Sequence, residues 1–323
     1  MRDPLSELLN ALAPVFFAII LGYFAGRKKI IDNRNVEELN SLVMTFAVPA
    51  AIFVSIAQAT RGQLLTQLPL ALILSSTMLI LYGFTFWMAK FKFKADSSDA
   101  SLQALTTSLP NYASAGLPLI MALLGPTRVI SVAVAIGCGS IVVSPITLVI
   151  LHHGTRKTEK GAKNESDSSG ILAALKSTLM KPIVFAPIIA VVMILAGVRL
   201  PVPIAKSFSL IGEVSGGAGL FLTGVILSAQ KMEWGWNASI QTVLSNVVHP
   251  LMALGLALLF HVAPIISREA ILLAALPTGY FGVLFGVSVK RSSAVAGTTM
   301  VASTALSAVT IAAAVYLTSG MGR

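Results

Sequence analysis

The chain has 323 residues, 55% of them hydrophobic and only 11% charged, with a mean hydropathy of +0.84. A soluble domain carries about 25% charged residues, so this chain lacks the polar surface that water requires, and lipid is the natural alternative solvent. The net charge of +10 is not the footprint of a nucleic-acid binder, because the basic residues stand between long apolar runs, where they orient a membrane protein. A single cysteine, Cys138, excludes an internal disulfide, and no Cys or His cluster at ligand spacing calls for a metal or another cofactor.

A helix needs roughly 20 mainly apolar residues to cross the hydrocarbon core. Ten segments meet this, in chain order Leu8–Gly26, Leu39–Ala57, Leu65–Ala89, Leu102–Leu124, Val129–Leu151, Pro182–Val198, Ile204–Ser228, Ile240–His261, Ala270–Val287 and Ser293–Leu317. The first is a retained span rather than a signal peptide: Arg27, Lys28 and Lys29 follow its apolar run instead of preceding it, and no small-residue cleavage site is present. The runs are too long, too uniformly apolar and too rich in Ala and Leu for alternating barrel strands. The expected fold is therefore an all-α integral membrane protein.

The longest polar stretch, His152–Ser169, separates the fifth segment from the sixth. It divides the chain into a first five-helix half (1–152), a cytoplasmic linker (153–169) and a second five-helix half (170–323). A short interfacial helix is expected at Ile171–Met180. Loops after odd-numbered segments hold Arg27, Lys28, Lys29, Arg34, Lys90, Lys92, Lys94, Arg156, Lys157, Lys160, Lys163, Lys176, Lys181, Lys231, Lys290 and Arg291. The opposite side holds only Arg2, Arg61, Arg128, Arg199, Lys206, Arg268 and Arg323. The positive-inside rule then places both termini outside, the periplasmic face of a bacterial inner membrane.

Five spans per half means that the second half enters the membrane upside down relative to the first, an architecture common among secondary transporters. Two internal echoes fit such a duplication. AIFVSIAQ at Ala51–Gln58 pairs with TGVILSAQ at Thr223–Gln230, and LPNYASAGLP at Leu109–Pro118 pairs with LPTGYFGVLFG at Leu276–Gly286, at offsets of 172 residues (51 to 223) and 167 residues (109 to 276).

The fourth and ninth segments carry the candidate site. Pro110 and Pro118 bracket Asn111, Tyr112, Ser114 and Gly116, and Pro277 precedes Thr278, Gly279, Tyr280 and Gly282. Proline inside a helix removes a hydrogen bond and clashes with the preceding turn, at a cost of about 3 kcal/mol. In lipid the freed carbonyl must be satisfied by protein or trapped water. A break at the midplane also exposes a helix N-terminus with unpaired N–H groups and about half a positive charge. Two oppositely inserted breaks that cross would aim two such ends at one anion, with no Lys or Arg needed inside any segment. A single Pro–Gly cluster is more often a kink than a site. Two in corresponding segments favour a site, with Asn111, Tyr112, Ser114, Thr278 and Tyr280 adding side-chain hydrogen bonds. Pro49 and Pro145 read as ordinary kinks.

The stretches GYFAGRKKIIDNRNVEELNSLVMTFAVPAAIF (Gly22–Phe53), LPNYASAGLPL (Leu109–Leu119) and GLFLTG (Gly219–Gly224) resemble the auxin efflux carrier superfamily. VAIGCGSIVVSP, KPIV and FLTGVILSA are closest in pattern to its bacterial malonate transporter branch. The resemblance spans nearly the whole chain. It implies ten helices in two inverted five-helix repeats, with crossed broken helices 4 and 9. Segments 1, 2, 6 and 7 would form a scaffold, with a homodimer through that scaffold left open, and segments 3–5 and 8–10 the transport domain. The family's crossover Asn and prolines match Asn111, Pro110, Pro118 and Pro277, whereas the ninth segment has Thr278–Gly279 where an Asn would be matched. The implied function is secondary transport of a small organic anion such as malonate, with efflux of an auxin-like monocarboxylate as the alternative.

Uptake of a dianion against a negative interior costs about 2.3 kcal/mol per charge per 100 mV, so a coupling cation, H⁺ or Na⁺, is expected. Intramembrane acids are the usual carriers, and Glu213 is the acid that qualifies, either as a coupling group or as an interfacial residue beside Lys206. His249 can titrate near neutral pH, or it packs as a neutral, hydrogen-bonded histidine. The glycines Gly212, Gly216, Gly217 and Gly219 give the seventh segment a small surface for close packing. No nucleophile, HExxH or paired aspartates point to an intramembrane enzyme, and no charged ring or filter motif points to a channel.

Overall fold

The structure is a computed structural model and describes residues 4–158, 180, 182–230, 232–288, 291 and 293–321. All regular secondary structure among the described residues is helical, with no strand. In chain order the helices are α1 (Pro4–Arg27), α2 (Glu37–Ala57), α3 (Arg61–Lys92), α4 (Ser97–Ser108), α5 (Tyr112–Leu124), α6 (Pro126–Leu151), α7 (Pro182–Ala196), α8 (Val202–Ala229), α9 (Trp236–Leu259), α10 (Pro264–Ala274), α11 (Phe281–Ser288) and α12 (Ala294–Thr318). Six of these, α2, α3, α6, α8, α9 and α12, are long and apolar enough to cross a membrane, and Ala13–Arg27, α5 and Phe185–Ala196 are shorter apolar helices. The expected fourth and ninth segments are not single helices: each is a pair of short helices around an extended break. Residues 153–158 of the expected linker continue the helix begun in α6, while its remainder and most of the expected interfacial helix lie outside the described residues.

Local chemistry sets the helix ends. The Asp96 carboxylate caps α4 by accepting from the backbone N–H groups of Ser98 and Asp99 at 2.8 and 3.0 Å. Thr60 and Gln63 form a reciprocal capping box at the start of α3, and Ser293 caps α12. Widened π turns at Leu42–Ala47, Tyr112–Gly116 and Leu244–Val248 each end one or two residues before a proline, Pro49, Pro118 and Pro250. Such a turn relieves the clash of the proline ring with the carbonyl one turn back, so the helix bends without ending.

Packing sorts the helices into two groups. In one, α1 lies along α8, and α2 packs on α7 and α8; in the other, α3, α4 and α6 pack together with α9, α10, α11 and α12. The α1–α8 contact is unusually close, because a Cβ on Gly22 would overlap the Phe221 carbonyl and one on Gly224 the Ile19 carbonyl. Small residues that let two backbones touch are how membrane helices associate without a hydrophobic drive. Outward faces are apolar: Phe17, Leu72, Leu210 and Val309 are between 64% and 71% exposed, as a lipid-facing surface demands. By contrast, every residue of α4 from Ala100 to Ser108 is buried, although the helix is largely polar. Its Gln103 carboxamide oxygen accepts from Asn237 Nδ2 and Gln241 Nε2 on α9 at 2.9 and 2.7 Å, and Thr107 Oγ1 donates to Gln241 Oε1 at 3.0 Å.

The α1–α8 seam makes a direct prediction. Gly224→Leu should overpack it and cost about 1–3 kcal/mol, read as a lower thermal unfolding midpoint in detergent. Gly83→Leu, at an exposed position with open space around it, should leave the midpoint unchanged.

Candidate functional site

The two breaks meet. Pro110 and Thr278 pair as an antiparallel bridge, with the Asn111 N–H donating to the Pro277 carbonyl and the Gly279 N–H donating to the Leu109 carbonyl, both at 2.8 Å. Each interrupted segment thus fills backbone valences that the other's proline left open, which answers the accounting problem of irregular chain at membrane depth. Gly279 is required here, since a Cβ would stand 3.0 Å from the Leu109 carbonyl oxygen. Gly282 lets α11 lie against α4, where a Cβ would overlap the Thr106 hydroxyl.

Asn111 ties the crossing together. Its side-chain oxygen caps α5 by accepting from the Ser114 N–H at 3.2 Å, and its amide Nδ2 donates to Thr223 Oγ1 on α8, also at 3.2 Å. The Thr223 hydroxyl in turn donates to the Gly219 carbonyl at 2.9 Å. Ser114 Oγ lies 3.2 Å from the Tyr280 hydroxyl, which reaches Met44 Sδ on α2 at 3.8 Å. Ser114 also presses on Gly219, where a Cβ would stand 2.6 Å from its Oγ. On the other side, the Thr278 N–H donates to Ser303 Oγ of α12 at 3.0 Å. Pro110, Asn111, Tyr112, Ser114, Gly116, Pro277, Thr278, Gly279, Tyr280 and Gly282 are all buried here, and Pro118 is partly so. Three buried hydroxyls, Ser108 Oγ, Tyr112 Oη and Thr278 Oγ1, have no hydrogen-bond partner. Buried polar atoms are rarely left in that state unless something else binds them.

Two adjoining cavities lie beside α5 and the start of α6. One of about 590 Å³ lies between α2, α5 and α8 and is lined by Ser55, Gln58, Leu117, Pro118, Glu213 and Gly216, among others. The second, of about 1070 Å³, is lined by Gln67, Arg128, His261 and Ile266, and shares Gln63, Thr127 and Ile130 with the first.

The expected coupling residues are not gathered at the crossing. Glu213 is exposed on the wall of the smaller cavity. His249 is fully buried on α9, its Nε2 3.1 Å from Thr77 Oγ1 of α3. Besides Glu213, a second acid lies within a helix. Glu269, in α10, has a fully buried side chain and pairs with Arg128 at 3.3 Å. The ninth expected segment begins at Ala270, whereas the helix starts six residues earlier at Pro264, so Glu269 sits inside it. Thr223 was visible as part of a repeat echo, but its pairing with Asn111 spans 112 residues, and no local pattern announces it.

The chain belongs to the family described as Membrane transport protein, that of the auxin efflux carriers, which matches residues 7–315. It is 29% identical over 282 residues to "Uncharacterized transporter YfdV" of Escherichia coli (strain K12), covering 87% of this chain and 88% of the relative. It is 24% identical over 325 residues to the "Putative malonate transporter" of Rhizobium meliloti (strain 1021), covering 97% of this chain and 96% of the relative. The protein is thus a membrane transporter, and a family of transporters suggests no enzymatic activity.

Thr223→Val keeps the side-chain shape and leaves the buried Asn111 amide without its acceptor. It should cost about 1–3 kcal/mol, read as a lower thermal midpoint of the purified protein, while Ser207→Ala, whose serine is exposed on α8, should not.

Proposed function

We propose that the protein is a secondary active transporter of a small organic anion, malonate or a related dicarboxylate, bound where the two broken segments cross. The observation that carries this reading is the Pro110–Thr278 bridge with its unpartnered hydroxyls. It brings two interrupted helices together with donors to spare and no lysine or arginine among the crossing residues Leu109–Gly116 and Leu276–Gly282 to hold an anion too tightly. The malonate substrate is supported by the name of the Rhizobium relative and by a crossing suited to carboxylates. Efflux of a monocarboxylate is the second reading, favoured by the wider family.

In this reading α1, α2, α7 and α8 are the scaffold, and the remaining helices are the moving body. Ten crossings form two inverted repeats with both termini outside the bacterial inner membrane. The contact of Ser114 and Asn111 with Gly219 and Thr223 is then the sliding seam. An elevator-like displacement of the moving body along it exposes the crossing alternately to each side. A cation moves with the anion to offset its charge.

Purified protein in liposomes should take up labelled malonate saturably, tested beside malate and auxin under imposed H⁺ or Na⁺ gradients. Asn111→Ala should abolish uptake while the protein stays monodisperse; normal transport by that variant would remove the crossing from the substrate path. In a Cys138→Ser background, Ser114→Cys combined with Gly219→Cys should cross-link spontaneously. Oxidation should stop uptake and a reductant restore it, whereas unimpaired transport by the cross-linked protein would exclude sliding at this seam.

A further inference from the structure

The interior holds one ion pair that the crossing does not use. The Glu269 side chain is fully buried in α10, while Arg128, in the first turn of α6, is 35% exposed on the wall of the larger cavity. Their contact is loose for a charge-assisted bond, with Arg128 Nη1 3.3 Å from Glu269 Oε1, against about 2.7–2.9 Å for a strong one. The second carboxylate oxygen has an equally long contact, 3.4 Å from Gln67 Nε2. Gln67 is itself buried, and its Oε1 has no donor. The cluster therefore contains an ionised carboxylate with two weak partners and, beside it, an acceptor that lacks a proton. One proton on Glu269 would supply the missing donor to Gln67, after rotation of the amide. It would also release the Arg128 guanidinium toward the cavity.

We propose that Glu269 is the proton carrier of the transport cycle and that its protonation hands Arg128 over to a carboxylate of the entering substrate. The proposal rests on the transport reading above and names the coupling ion as H⁺. The balance is simple. The Glu269 carboxylate takes one proton from cavity water and becomes a carboxylic acid. Arg128 keeps its own proton throughout and exchanges one anionic partner, Glu269, for another, the substrate. On release of the substrate the proton leaves with it, and the Glu269–Arg128 pair re-forms. Position favours this role. Arg128 follows directly on α5, the outgoing arm of the first break, and Glu269 lies on α10, the incoming arm of the second. The Arg128 cavity adjoins the one that reaches Pro118 through Gln63, Thr127 and Ile130. An anion first held at Arg128 is thus on the way to the crossing.

Among the described residues, the charged and titratable groups around α10 are few. Of the helices packed against α10, α3 and α12 bear Lys or Arg only at the ends of α3, at Arg61, Lys90 and Lys92, and none on α12; α9 contributes His249, which is bonded to Thr77. Packed against α10 from α6 is Arg128 itself, His261 lines the same cavity, and Arg268 is the neighbour on α10.

Two measurements on the full-length purified protein test the proposal. In the substrate-free wild type, infrared difference spectra should show the carbonyl stretch of a protonated buried carboxyl appearing as pH falls. That band should be absent in Glu269→Gln and shifted to higher pH in Arg128→Gln, where loss of the cation favours the protonated form. Malonate binding by the wild type should weaken about tenfold per pH unit on the alkaline side, as one linked proton requires. It should become independent of pH in Glu269→Gln and weak at every pH in Arg128→Gln. No band in the wild type, or a pH slope that survives Glu269→Gln, would overturn the proton role. A normal band in a protein that binds no malonate would support the proton step and refute the substrate assigned above. Malonate binding without any pH slope would leave the transport reading standing and refute this one. Should Glu269→Gln not fold, the band shift in Arg128→Gln decides.

Discussion

The structure depends on one exchange of backbone hydrogen bonds. Where lipid surrounds a helix, a proline leaves a carbonyl that water cannot reach, and a single such break is a liability of several kcal/mol. Here two breaks cancel each other. Leu109 and Pro277 offer carbonyls; Asn111 and Gly279 offer N–H groups; the four groups close into the bridge at Pro110 and Thr278. Neither segment has this solution alone, so the crossing fixes the relative position of α4, α5, α10 and α11 more firmly than apolar packing between featureless helices could.

The packing around the crossing follows from that constraint. Helix α4 is polar yet buried from Ala100 to Ser108, which is tolerable because α9 brings matching groups and its own carbonyls accept from Ser101 and Thr106. The Gln103, Asn237, Gln241 and Thr107 chain joins it to α9. Asn246 of α9 ties in α12, donating to the Ser303 carbonyl at 3.0 Å while Ser303 Oγ serves Thr278. A buried polar network with most members satisfied rigidifies a core. This one runs alongside the crossing and holds it as a unit. The contact of α5 with α8 is close but carries a single side-chain hydrogen bond, from Asn111 to Thr223, with Gly219 making room for Ser114.

Much of this was legible in the sequence, for physical reasons that also mark the limit. Pro110, Asn111, Pro277 and Gly279 stand out because proline and glycine act through the backbone of their own residue, so their effect is local and visible. The π turns before Pro49, Pro118 and Pro250 are bends of the same origin. Thr223, Ser303 and Met44 contribute through contacts between distant parts of the chain, and nothing in their neighbours distinguishes them. Glu269 was hidden differently. A carboxylate at the edge of an apolar run looks like a loop residue, and only the position of Pro264 as the first helical residue, with Arg128 folded against it, turns it into a buried charge.

Charge placement closes the reasoning. An anion carrier must attract its substrate and then let it go. A lysine or arginine at the crossing would hold a dicarboxylate in a site of low dielectric, where attraction is strong and release slow. The crossing instead offers helix ends and hydroxyls, which spread a modest positive potential over many atoms. The one arginine near the path, Arg128, already shares its charge with a buried carboxylate. Its pull on an anion therefore depends on whether that carboxylate is neutralised. On the function proposed above, attraction becomes conditional, and a conditional attraction is what a cation-coupled carrier needs.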